Sequence, residues 1–199
     1  RPDYSPACND SFCGMMRQVS ILNSIAITQK KLETLVADQS LIRETAYAIV
    51  AKLNAGDVTP LDLLDVLEER IAAVDGKVNA LPTRCFDRAR SHARDLMKRP
   101  KGERGLLAGM PVPIKDLTNV AGVLTTQGSP IYKDHVPDRS DILVERLEAN
   151  GGVIYAKSNT PEFGAGANTF NEVFGPTLNP WDLTRSAAGS SGGAAAALA

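Results

Sequence analysis

Ser140-Asp141-Ile142-Leu143-Val144-Glu145-Arg146-Leu147-Glu148-Ala149-Asn150-Gly151-Gly152-Val153-Ile154-Tyr155-Ala156 reads as a helix that runs directly into a strand. Ile142, Leu143, Arg146 and Leu147 recur at helical spacing, Asp138 and Ser140 are candidate caps, and Gly151 is a stop signal. Gly152 to Ala156 is then a short apolar run of strand length. Upstream, Met110-Pro111-Val112-Pro113-Ile114 is a second such run between turn residues. Strand, helix, strand in this order predicts a crossover unit of a mostly parallel sheet, and so an α/β fold.

Working outward, apolar residues Leu41, Ile42, Ala46, Ile49, Val50 and Leu53 predict a helix from near Ser40 to a stop at Gly56. Thr59 caps a second helix with Pro60 at its first position, and Leu61, Leu64, Val66, Leu67 and Ile71 form its apolar face. A short extended segment, Val78 to Thr83, precedes a third helix over Phe86 to Met97. Its Arg88, Arg90, Arg94 and Asp95, with Lys98 beyond, predict a solvated charged face. The segment Arg1 to Lys31 has no helical or alternating period. Residues 1–36 are therefore read as a leader outside the fold, either non-native or a disordered native arm, and residues 37–199 as the structured portion.

Composition narrows the function classes. The chain has 199 residues, 43% hydrophobic and 23% charged, enough to bury a core. A formal net charge of -1, from 22 basic and 23 acidic side chains, gives no electrostatic reason to expect nucleic acid or an anionic membrane as partner. Cys8, Cys13 and Cys85 have neither a disulfide framework nor zinc-site spacing. Reduced thiols in a cytoplasmic protein are the expectation, with no metal and no organic cofactor. No apolar stretch has the length of a membrane span.

Two features carry chemistry. Lys115 follows the rigid apolar Pro111-Val112-Pro113-Ile114, which delivers it from a strand end either to the surface or into a cleft; burial there would lower its pKa and let it act as a base. Asp116 beside it is a salt-bridge partner or a turn former. Gly189-Ser190-Ser191-Gly192-Gly193, followed by the alanine-rich 194–199, reads either as a tight turn opening a helix, whose free N–H groups suit an oxyanion, or as a flexible linker. No phosphate-binding Gly-Lys-[Ser/Thr] run is present. His92, in the charged helix, and His135, in a polar loop, are poor candidates for a catalytic base.

Five consecutive motifs now make a resemblance specific. Gly109 to Asp116, Thr125-Thr126-Gln127-Gly128-Ser129, Gly152 to Phe163, Asn179-Pro180-Trp181 and Gly189 to Gly193 occur in the order and spacing of the amidase signature family. The chain resembles the N-terminal part of that family over roughly Leu41 to Ala199. The resemblance implies an α/β/α sandwich with a mixed sheet, and a Ser-cisSer-Lys triad that hydrolyses a carboxamide through an acyl-enzyme. Lys115 matches the base, Ser190 the relay serine after the cis bond, here Gly189–Ser190, and Ser191 a supporting hydroxyl. Gly164, Ala165 and Gly166 match a segment lining the acyl pocket, or are small residues for close packing.

Two departures stand out. Ala188 takes the place of the first glycine of the Gly-Gly-Ser-Ser-Gly-Gly run, and the family's nucleophile belongs to a Gly-Gly-Ser segment that would fall beyond Ala199. The chain is thus read as an inactive fragment whose runs Met110–Ile114 and Gly152–Ala156 would lack cover. Ser129-Pro130-Ile131-Tyr132 and Phe163 to Glu172 look more like free-standing general amidases acting on small amides. The alternatives are the glutaminase component of a tRNA-dependent amidotransferase, which would need partner subunits, and a shortened, non-catalytic binding module. The sequence leaves a homodimer open.

Overall fold

The computed structural model describes residues 39–199; the leader reading falls on residues outside this range. Its centre is a three-stranded sheet. β1 (Thr83–Arg84), β2 (Pro111–Lys115) and β3 (Val153–Ser158) lie in the order β1-β3-β2, β1 antiparallel and β2 parallel to β3. The sheet is therefore mixed. Helices α1 (Ala46–Ala55), α2 (Pro60–Val78) and α3 (Phe86–Met97) precede β2, α4 (Ile142–Ala149) connects β2 to β3, and α5 (Gly192–Leu198) follows the hairpin of β4 (Leu178–Asn179) and β5 (Asp182–Ser186).

Two apolar layers flank the sheet. On one side Leu64 and Ile71 of α2 and Phe86, Ala89, Ala93 and Leu96 of α3 pack with Val153 and Tyr155. On the other, Val144 of α4 packs with Ile114, Val120, Val123 and Ile154. Helices on both faces make this the α/β/α arrangement that the family resemblance implies. Every side chain of β3 is buried, so the expectation that Gly152–Ala156 lacks cover is not met: α3 and α4 supply it. β1 and β2 are the edge strands, and the register of β2 against β3 shifts once, with Val112 opposite Ile154 and Pro113 opposite Ala156.

Capping residues set the helix boundaries. Thr59 accepts from the Asp62 amide and Asp62 from the Thr59 amide, a reciprocal box with Pro60 in the first turn. Gly56 ends α1 in the left-handed region, φ 89°, where a side chain is strained. The single helix expected from Ser40 is broken: Gln39–Arg43 is a 3-10 turn and the Thr45 hydroxyl, accepting from the Ala48 amide, starts α1 afresh. α2 runs to Val78, because the buried Asp75 carboxylate receives the Ala80 and Leu81 amides and Arg84 and so anchors the chain leaving the helix.

Two other expectations change. Asp138 and Ser140 do not cap α4. Asp141 is its N-cap residue, and its carboxylate accepts from the Asn119 amide while Ser140 Oγ accepts from that of Ala121, tying the loop after β2 to the helix start. Val144, not Ile142 or Leu143, is the buried contact of that helix. The charged face of α3 is also more than a solvated surface: Arg88 pairs with Glu148 of α4 at 2.7 Å, and Arg90 with Asp65 and Glu68 of α2.

Candidate active site

β2 ends on Lys115, and its ammonium nitrogen lies 2.9 Å from Ser190 Oγ and 2.9 Å from Ser191 Oγ, across 75 residues of chain from the first. Strand alternation decides this direction. Lys115 is opposite Ser158 and Ile114 opposite Lys157; Ile114 turns into the Val120–Val144 layer, so Lys115 leaves by the other face, where the paired serines open α5. Burial pushes the Lys115 ammonium below its ordinary value. The peptide bond between Gly189 and Ser190 is cis.

Polar side chains hold the serine turn. Thr169 Oγ1 donates to the Ala188 carbonyl at 2.9 Å and accepts from the Gly192 amide at 3.0 Å, clamping both ends. Thr160 Oγ1 donates to the Ser190 carbonyl at 3.2 Å, and the Gly193 amide donates to the Asn159 carbonyl. Below them Asn159 and Asn171 interlock, Asn171 Nδ2 donating to Asn159 Oδ1 at 2.7 Å. The first amides of α5 are therefore engaged inside the protein, which removes Gly192 and Gly193 from the oxyanion role that a free helix start suggested. Ala188 is exposed and bridges Asn168, so its methyl group does not obstruct the turn.

Glycine is required here by contact. A Cβ at Gly189 would sit 2.7 Å from the Gly166 carbonyl oxygen, and one at Gly193 would overlap the Asn159 amide nitrogen. Gly193→Ala should therefore destabilise the protein by about 1–3 kcal/mol, because backbone atoms cannot swing aside. Gly76→Ala, within α2 and with nothing within 4 Å of the new Cβ, should instead stabilise by about 0.5–1 kcal/mol. Denaturant melts of the two variants compare them directly.

Of the residues matched to the acyl pocket, Gly164 packs against Leu117 and Gly166 against Gly189, while Ala165 is exposed beside them. A Cβ at Gly164 would run into the Leu117 side chain, and one at Gly166 would crowd the Pro161 ring. The half-exposed Phe163 ring meets Tyr132 edge-on at 6.2 Å next to this segment. His92 lies beside Glu148 and His135 beside Tyr132. Cys85 is a free thiol pushed up to about 11 by burial. Among the described residues no group of three or more His, Cys, Asp or Glu is placed to hold a metal ion, and no helix is long and apolar enough to cross a membrane.

One group escapes the sequence reading. Lys157 is fully buried, its nitrogen 3.0 Å from Asp116 Oδ1 and 2.7 Å from Thr125 Oγ1. Asp116 Oδ2 in turn accepts from Thr126 Oγ1 at 2.6 Å and from the Thr126 amide at 3.1 Å. Of the two roles open to Asp116 this is the salt bridge. Ending the apolar run at Ala156 hid Lys157; a charge at the end of an otherwise apolar strand, with an acid after the neighbouring strand, was the available signal.

The family model for amidase matches residues 62–199. The chain belongs to the amidase signature family. Among its relatives, the glutamyl-tRNA(Gln) amidotransferase A-subunit of Streptomyces avermitilis is 41% identical over 162 residues, covering 80% of this chain and 32% of that protein. The structure of 6-aminohexanoate cyclic dimer hydrolase superposes with a TM-score of 0.70 at 32% identity, covering 79% of this chain and 33% of that one. A bacterial aryl acylamidase gives 0.70 at 30% identity, covering 77% and 32%. The chain thus spans about a third of the length of these relatives.

Proposed function

We propose that this chain supplies the base and the relay serine of an amidase that hydrolyses linear carboxamides through an acyl-enzyme. The observation that carries the reading is the contact of Lys115 Nζ with Ser190 Oγ at 2.9 Å, at a nitrogen that burial biases toward the neutral amine. A neutral lysine takes the Ser190 proton, and Ser190 takes one from a nucleophilic serine, which the resemblance places on a Gly-Gly-Ser segment after Ala199. Ser191 holds Lys115 from a second side. Gly164, Ala165 and Gly166 flank the serine turn and are proposed to line the acyl side of the substrate. The chain by itself is expected to be inactive, and the complete enzyme to work in the cytoplasm on a small amide.

The test compares acylation in the complete protein. Ser190→Ala should slow it by about a hundredfold or more and Ser191→Ala by less, because only Ser190 passes the proton. Equal, minor effects would reduce the run to a turn.

A second reading, the glutaminase component of a tRNA-dependent amidotransferase, is favoured by the name of the 41%-identical relative. Hydrolysis of glutamine only when partner subunits co-purify selects it. Turnover of simple carboxamides by the isolated protein selects the free-standing amidase.

A further inference from the structure

A serine at the start of a helix ordinarily turns its hydroxyl on the helix itself. At the N-cap it accepts from an amide of the first turn, and one residue earlier it closes a turn on the amide two residues ahead. Both serines of the site stand at these positions. Ser191 is the N-cap residue of α5, its carbonyl accepting from the Ala195 amide, and Ser190 lies two residues before Gly192. Neither hydroxyl serves the helix. Ser191 makes no side-chain cap, and both Oγ atoms lie 2.9 Å from the Lys115 nitrogen instead.

Outside groups hold the amides that the serines leave. Thr169 Oγ1 accepts from the Gly192 amide at 3.0 Å, and the Asn159 carbonyl from the Gly193 amide at 3.3 Å. Thr169 is fully buried, and its one hydroxyl proton goes to the Ala188 carbonyl at 2.9 Å, which turns a lone pair on Gly192. Its backbone is fixed independently: the Thr169 amide donates to the Ala187 carbonyl, and the Thr169 carbonyl accepts from the Thr177 amide. The side chain fills the space beside Gly192, where a Cβ would overlap Oγ1. The buried Gly192 amide needs an acceptor. Ser190 is the local solution, and a threonine 23 residues away is the one that leaves Ser190 uncommitted. We infer that Thr169 is a positioning residue that occupies the Gly192 amide, denies it to the Ser190 hydroxyl, and so leaves Ser190 to Lys115. The inference rests on the reading of Ser190 as the relay.

The experiment compares Thr169→Ala with Thr169→Ser in the complete protein. Both lose the methyl group, and only the first loses the hydroxyl. Thr169→Ala frees the Gly192 amide to draw Ser190 Oγ away, so kcat for a simple carboxamide should fall about tenfold while KM stays within about twofold. Thr169→Ser should keep at least about half of the unmodified kcat, because its hydroxyl has the same donor and acceptor. Since the effect passes through Ser190, Thr169→Ala should cost nothing more in a Ser190→Ala background. A crystal structure of Thr169→Ala should show Ser190 Oγ on the Gly192 amide and off Lys115 Nζ. Should Thr169→Ala not fold, Thr169→Cys decides: its sulfur is a weaker acceptor at the same place, so kcat should fall about threefold at unchanged KM. Four results overturn the inference: a folded Thr169→Ala or Thr169→Cys with the unmodified kcat, an equal loss in Thr169→Ser, a further loss in the Ser190→Ala background, or a Thr169→Ala structure with Ser190 still on Lys115. Near-normal turnover in Ser190→Ala overturns the relay reading instead, while the crystal structure still judges where the hydroxyl turns.

Discussion

Replacing Lys115 by alanine in the complete protein should lower amide turnover by at least about a hundredfold, the scale on which a positioned general base acts. The loss should fall on kcat, because Lys115 touches hydroxyls of the protein and is not assigned to the substrate. In the unmodified protein the rate should rise with pH through a limb below the ordinary lysine value, since burial depresses this amine and the neutral form is the one that accepts a proton. That limb should vanish in Lys115→Ala. Steady-state kinetics across pH, with circular dichroism to establish folding, read both effects. A folded variant with near-normal kcat removes Lys115 from the chemistry and leaves its two serine contacts as structural.

What was legible in the sequence was local. Thr59-Pro60 announced α2 because cap and proline act within one turn, Gly56 announced the end of α1 for the same reason, and α3 begins and ends at the expected Phe86 and Met97. The crossover of β2, α4 and β3 followed from the order of short periodic runs. The misses share a cause, a distant partner. The Asn119 and Ala121 amides claim the side chains of Asp141 and Ser140, and Glu148 draws Arg88 out of a supposedly solvated face. Thr160 and Thr169 look like ordinary loop threonines until the serine turn folds onto them. The site itself depends on a contact 75 residues long, which no periodicity contains; the resemblance alone brought Lys115 and Ser190 together. Lys157 was hidden by its own setting, since an apolar run is usually read as ending where a charge begins.

That same setting makes Lys157 the side chain whose loss should most damage the fold. Lys157→Ala should destabilise the protein by about 3–5 kcal/mol, the usual consequence of removing one partner of a buried pair. The lost attraction is the smaller part. The variant leaves Asp116 with a fully buried carboxylate and only its Thr126 donors, and opens a void beside Thr125 in a strand whose side chains are all buried. An exposed pair such as Lys98 and Asp95 gives the contrast: Lys98→Ala should leave stability nearly unchanged, because water already screens both groups. Substituting both buried partners should recover part of the loss, since no unpaired charge then remains, and Asp116→Asn with Lys157→Met should melt above Lys157→Ala. Equilibrium denaturation of the four proteins tests the ordering. If Lys157→Ala proves no worse than Lys98→Ala, the pair is not the buried, mutually dependent unit that its contacts describe.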